Sequence, residues 1–204
     1  MTYAYADEIR EDLLRMIPAD GRIIGSIGCG TGATEGELVK QGRQVHGVDI
    51  APEAIAMARV RLSTARLIEP ANHTPFDDAS LDGLILADVI EHLPEAWMAL
   101  KLYVKAVKPG GWVVISTPNM RSVKVITKFF VGGDWPEEKS GIFDSTHLQV
   151  MTRKRLIRWC DQAGLHIERW FDKYESRRYP WADWATLKLF HAWFTYQLQV
   201  LCRR

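Results

Sequence analysis

Residues Ile23 to Gly32 read Ile-Ile-Gly-Ser-Ile-Gly-Cys-Gly-Thr-Gly, an apolar run that breaks into glycines at 28, 30 and 32. Glycines so placed let the backbone turn sharply and let a ligand approach it closely. Further on, Asp49 closes the apolar run that begins at Val45. A carboxylate about 20 residues after such a turn can take both hydroxyls of a ribose. Together these residues predict a nucleoside ligand. The spacing is G-x-G-x-G rather than the G-x-G-x-x-G of a dinucleotide fingerprint, which argues against NAD.

These residues need strands to carry them to one edge. Arg22 to Ile27 reads as the first strand, Val45 to Val48 as the second, Ala65 to Glu69 as the third and Leu81 to Ala87 as the fourth. The fourth is nearly all apolar, as a strand covered on both faces should be. Trp112 to Thr117 reads as the fifth, launched by the turn Lys108-Pro109-Gly110-Gly111. Leu165 to Tyr174 and Thr195 to Arg203 alternate as strands do. Helices are expected between them: a leading one over residues 5 to 17, then Glu35 to Gln41 stopped by Gly42, Pro52 to about Leu62, and Glu95 to Val107. A last helix covers residues 152 to 163, with Thr152 as N-cap and Gly164 as terminator. Strands alternating with helices argue a doubly wound α/β sheet.

At 204 residues, 47% hydrophobic and 25% charged, the chain suits one well-packed core, and a single domain over 1–204 is expected. No run of 18 apolar residues or signal-peptide pattern is present, so a soluble, cytoplasmic protein is expected. Cys29, Cys160 and Cys202 are few and far apart, which suggests reduced thiols rather than a disulfide framework or a zinc site. Charge is divided: residues 1–100 carry −8 and residues 101–204 carry +9. An acidic half around the glycine turn suits a cationic ligand, and a basic half suits an anionic acceptor, although solvated faces give the same count.

The hexad Ile-Gly-Cys-Gly-Thr-Gly and the Val-Asp at 48–49 resemble the first two motifs of class I S-adenosylmethionine-dependent methyltransferases. Pro75 to Asp82 with the following Leu84 to Leu93 resembles that family's fourth-strand motif, and Lys108-Pro109-Gly110-Gly111 its approach to strand five. The resemblance implies a Rossmann-like, seven-stranded, mainly parallel sheet ending in an antiparallel hairpin, with S-adenosylmethionine as cofactor. It implies that Gly28, Cys29, Gly30 and Gly32 pass under the methionine portion, that Asp49 holds the ribose, that Ile50 packs on adenine and that Ala87 faces the ligand. Cys29 has packing as its simpler role. Two positions depart from the family's pattern. Ser26 stands where an acidic residue usually precedes the first glycine by two, and Pro70 stands where an adenine-side aspartate is usual, leaving Ala71 and Asn72 to meet the adenine.

Methyl transfer needs in-line positioning and, for a weakly acidic hydroxyl, a base. The Thr117-Pro118-Asn119 step and the Asp144-Ser145-Thr146-His147-Leu148 run resemble small methyltransferases associated with sugar and polysaccharide modification. His147 is the expected general base and Asp144 its orienting partner. The alternative is that His147 only ties the insertion to the sheet and Asp144 only forms a turn with Ser145. Glu91 and His92 resemble a step in ubiquinone-pathway O-methyltransferases. Adjacent residues are a poor metal set without further carboxylates, so no metal is expected.

Insertions at about 119–150 and 175–194 are expected over the acceptor side, the second rich in tryptophan and phenylalanine and suited to a lid or a homodimer contact. Its aromatics surround the helix instead of forming one stripe, so membrane contact is not expected. Arg121, Lys124 and Lys128 could meet an acceptor phosphate, and no nucleic-acid motif accompanies them. The expected activity is O-methylation of a sugar, a nucleotide sugar or another small metabolite. A phenol or quinone-precursor O-methyltransferase is one alternative, and a MetW-like partner of a biosynthetic enzyme is another.

Overall fold

Short apolar runs that end at glycine or aspartate assemble here into one sheet, because their flanking residues turn the chain while their side chains bury on both faces. The computed structural model describes residues 7–69, 74–174 and 191–204. In chain order the elements are α1 (Glu11–Leu14), β1 (Ile23–Ile27), α2 (Ala33–Lys40), β2 (Gln44–Asp49), α3 (Pro52–Ala58), β3 (Thr64–Leu67) and β4 (Leu81–Ala87). A short 3-10 turn (Ile90–His92) leads to α4 (Ala96–Val104), β5 (Val107–Pro118) and α5 (Val123–Ile126), which runs on into a π-helical turn (Thr127–Val131). Then come α6 (Arg153–Gln162), β6 (His166–Trp170), β7 (Lys173–Tyr174), a helical turn (His191–Phe194) and β8 (Thr195–Arg203).

Among the described residues the sheet has eight strands in the order β3-β2-β1-β4-β5-β8-β6, with β7 also paired to β8. The first five are parallel to their neighbours, and β8 runs antiparallel to β5, β6 and β7. Strand order reverses between β1 and β4, and the crevice beyond their carboxyl ends is where such sheets bind ligands. Alternate residues feed two cores. Leu84, Leu86, Val113 and Ile115 meet Leu100, Tyr103, Leu156 and Trp159 on one face. Ile24, Ile85, Val114 and Leu201 meet Leu13, Leu38 and Ile55 on the other.

The expected helix signals operate as read. Pro52 opens α3 in its first turn, the Thr152 hydroxyl accepts the Arg155 amide at the start of α6, and Gly164 follows α6 with φ +75. Boundaries differ in several places. The leading helix is confined to Glu11–Leu14, α3 ends at Ala58 and α4 at Val104. β5 starts at Val107, not Trp112: Val107 pairs Leu81 and Trp112 pairs Gly83, so Lys108 to Gly111 bulge out of a continuous strand. The run expected as one strand from Leu165 to Tyr174 is split into β6 and β7. Asp172 turns inward there, accepting the Gln199 amide at 3.2 Å and pairing with Arg153, which interrupts the ladder. That break makes eight strands of the expected seven.

One side chain anchors the near end of β4. Asp82 accepts the amides of Arg22 and Ile23 at 2.8 Å each and pairs with Lys108 at 2.6 Å, joining β1, β4 and the bulge. The Lys108 contact is the largest influence that lowers its carboxyl from 3.8 to about 2. A depressed carboxylate stabilises above its unfolded value and loses that contribution as pH falls through the folded one. Urea titrations should therefore show Asp82→Asn less stable than the parent at pH 7, with the gap closing between pH 4 and 2. A gap independent of pH would show that charge plays no part. Next to it, a Cβ on Gly83 would lie 2.2 Å from two ring atoms of the fully buried Trp112. Gly83→Ala should cost about 1–3 kcal/mol in denaturant unfolding, and an unchanged midpoint would refute the packing argument.

Candidate functional site

At the end of β1 the chain folds back under its own backbone. Gly28, Gly30 and Gly32 all have left-handed φ, at +70, +52 and +70. The amides of Gly28 and Cys29 both donate to Val48 O, at 2.8 and 3.1 Å, so the turn is tied to the end of β2. A Cβ on Gly28 would stand 2.4 Å from Val89 Cγ2, so no larger residue fits there. The Cys29 thiol faces Gly47 in the core, and burial, then Glu35 and Asp49, push its pKa up. Its side chain packs in the second of the two cores.

The Asp49 carboxylate is not exposed at a strand end. It is buried, Oδ2 accepting Gly30 N–H at 2.8 Å and Oδ1 accepting Ala51 N–H at 3.0 Å. Beside it Ile50 is 44% exposed, free to lie against a flat ring, and Ala87 ends β4 half-buried. Gly28, Gly30, Gly32, Asp49, Ile50 and Ala87 therefore gather around the β1/β4 crevice. Pro70, Ala71 and Asn72 lie outside the described residues, as does most of the 175–194 insertion.

Across the crevice a cavity of about 310 Å³ opens at the carboxyl ends of β4 and β5. His147 and Asp144 both line it, as do Glu91, His92 and Lys124. The 3-10 turn after β4 meets the insertion through its backbone, since Glu91 O accepts the amides of Leu148 and Gln149 at 2.8 and 3.0 Å. That pairing brings His147 beside His92, with ring centroids 4.8 Å apart. Burial, and then the neighbouring His92, lower the His147 pKa, favouring the neutral imidazole; its Nδ1 is buried with no hydrogen-bond partner among the described residues.

Asp144 does not orient that ring through its side chain. Its Oδ1 accepts the amide of Thr146 at 2.8 Å and the Thr146 hydroxyl at 2.6 Å, closing a local turn, and these bonds hold its pKa low against the opposing effect of burial. The turn partner is Thr146 rather than Ser145. Thr146 in turn holds His92, whose Nδ1 lies 3.0 Å from the Thr146 hydroxyl. Asp144 thus shapes the loop that presents His147.

Glu91 is completely buried, and among the described residues neither carboxylate oxygen has a hydrogen-bond partner. Burial raises its pKa well above the usual range, with Asp88 and Asp144 adding to the effect. Glu91, His92 and His147 each bring a ligand atom within 4.8 Å of the others. The adjacent pair thus gains a third donor, and two imidazoles with a carboxylate fit a divalent ion such as zinc. Bound there, it would act as a Lewis acid on an acceptor oxygen.

Two residues beside the site were not singled out in the sequence. Asp88 has φ +56, an uncommon conformation that aspartate tolerates better than most residues. Its carboxylate takes Arg10 at 2.7 Å, Ser116 at 3.0 Å and the amide of Gln197. Arg10 also grips Asp12 at 2.9 Å. Neither carries a local signal: Asp88 reads as a strand terminator, and Arg10 as a charge on a short helix.

Residues 26–115 match a family described as a methyltransferase domain. The chain is 26% identical over 179 residues to a ubiquinone biosynthesis O-methyltransferase of Xylella fastidiosa, covering 85% of this chain and 71% of that protein. It is 33% identical over 158 residues to one of Hydrogenovibrio crunogenus, covering 73% of this chain and 64% of that protein. A structure described as a SAM-dependent methyltransferase from Archaeoglobus fulgidus shares the fold, with a TM-score of 0.69 and 18% identity over 95% of this chain and 90% of that one. No helix among the described residues is long and apolar enough to cross a membrane. The matched segment runs from Ser26 before the glycine turn to Ile115 in β5, and the fold around it is the one seen in S-adenosylmethionine-dependent methyltransferases.

Proposed function

We propose that this chain transfers a methyl group from S-adenosylmethionine to the hydroxyl of a phenolic acceptor. The observation that carries the reading is the polar wall of the acceptor cavity, where Glu91 and His147 present buried atoms that have no hydrogen-bond partner among the described residues. The cavity suits one small ring: its volume lies at the lower end of ligand pockets, which start at roughly 300 Å³, and Pro118, Ile142 and Tyr196 are among its lining. The names of the relatives favour a phenol or quinone precursor over a sugar. Lys124 also lines the cavity, which supports an acceptor carrying an anionic substituent. Of the other two basic residues, Lys128 pairs with Glu138 and Arg121 lies over Trp193.

The residues fit the cofactor. Three left-handed glycines leave backbone room, and Asp49 and Glu35 supply buried acid for a cation. When bound, the sulfonium supplies an electrophilic methyl carbon and departs as a neutral thioether. Asp49 reads the ribose, Ile50 packs on the adenine, and His147 takes the acceptor proton. A phenol ionises near pH 10, so a neutral imidazole in reach lowers the barrier to attack.

Three measurements test this. Methyl transfer from S-adenosylmethionine to a panel of catechols, hydroxybenzoates and nucleotide sugars should favour the phenols; exclusive turnover of a sugar overturns the acceptor reading. In calorimetry Asp49→Ala should weaken cofactor binding by roughly tenfold or more, and unchanged affinity removes the ribose assignment. His147→Ala should lose about a hundredfold in turnover or more while keeping cofactor affinity. Activity that survives a chelator supports the base role. Loss restored by a divalent ion assigns Glu91, His92 and His147 to a metal instead.

A further inference from the structure

Beneath the glycine turn the protein buries a carboxylate with no part in the acceptor chemistry. Glu35 stands in the first turn of α2 and is 6% exposed. A glutamate at the third helical position ordinarily reaches back to the N-cap amide. Here that amide, on Gly32, donates to Cys29 O at 2.9 Å, and Glu35 turns toward the sheet instead. Its Oε1 accepts the hydroxyl of Ser26 at 2.7 Å, and Ser26 is itself 1% exposed. Ser26 is the residue two before Gly28, where this chain has a hydroxyl in place of an acid.

A carboxylate buried so deeply is costly unless a cation compensates it. Burial raises the Glu35 pKa, and Asp49 adds to that rise. Arg10 acts in the other direction, but its guanidinium is bonded to Asp12 and Asp88. The floor of the turn therefore holds two buried acids, Glu35 and Asp49, beside a backbone shaped for close approach. A strand carboxylate at position 26 would face Glu35 as a like charge at hydrogen-bond distance. The serine on β1 and the glutamate on α2 thus form a matched pair.

We propose that Glu35 is the acidic positioning residue of the cofactor site, its charge reaching the floor of the glycine turn from α2 rather than from β1 and holding the cationic α-ammonium group of S-adenosylmethionine. The inference rests on the methyl-donor reading above. It assigns to this chain a relocated anchor: the hydroxyl of Ser26 seats the carboxylate, and the helix supplies it.

Glu35→Gln tests the charge, because the amide keeps the size and the acceptor for Ser26. By calorimetry its affinity for S-adenosylmethionine should fall about tenfold. Its affinity for adenosine, which lacks the cationic end, should stay within about twofold, and thermal unfolding should show a folded protein. A merely structural role would weaken both ligands alike. Moving the acid to the strand, in Ser26→Asp combined with Glu35→Ala, should restore affinity for S-adenosylmethionine to within about threefold of the parent. Equal effects on the two ligands, or no effect on either, overturn the assignment while leaving the methyl-donor reading intact. Failure of the parent protein to bind S-adenosylmethionine overturns both.

Discussion

The Asp49 carboxylate holds the ligand-binding edge of this protein together. One oxygen takes Gly30 in the turn after β1 and the other takes Ala51 at the start of α3. Hydrogen bonds from backbone amides to a carboxylate are among the stronger ones available to a protein. They fasten a stretch of left-handed glycines that has no side chains with which to fasten itself. With Val48 O taking two further amides, the end of β2 becomes a template on which the turn is laid. The orientation of α2, and with it the inward reach of Glu35, follows from that template.

Charge is organised around this edge in two layers. Glu35 and Asp49 lie beneath the turn, while Asp88 sits at the end of β4 with Arg10, Ser116 and Gln197 around it. Such a site suits a ligand that brings positive charge to the turn. The acceptor side works differently. Its polar groups come from the 3-10 turn and from an insertion more than fifty residues later, joined by backbone bonds to Glu91 O.

What was legible in the sequence was what neighbouring residues decide. The glycine spacing announced a sharp turn, Pro52 and Thr152 marked helix starts, and the apolar run from Leu81 to Ala87 announced a buried strand. Pairings between distant side chains were not legible. Glu35 read only as the start of a helix, since nothing local shows that its carboxylate turns inward to Ser26. His92 and His147 meet across 55 positions of sequence, and Asp144, which reads as a partner for His147, is taken by the nearer Thr146. The break between β6 and β7 was hidden for the same reason, because the Asp172 contacts that cause it are with Gln199 and Arg153.

The position of β8 ties assembly of the site to the order of the chain. Although it follows β6 and β7 in sequence, it lies between them and β5, and it supplies their only partner in the described sheet. Gln197, which grips Asp88, and Tyr196, which lines the acceptor cavity, both arrive on it. Non-local pairings of this kind must close a long loop before any contact rewards them. The cofactor edge is made by β1, β2 and β4, so the two sides of the site come from opposite ends of the chain, and the acceptor side is closed by the last strand.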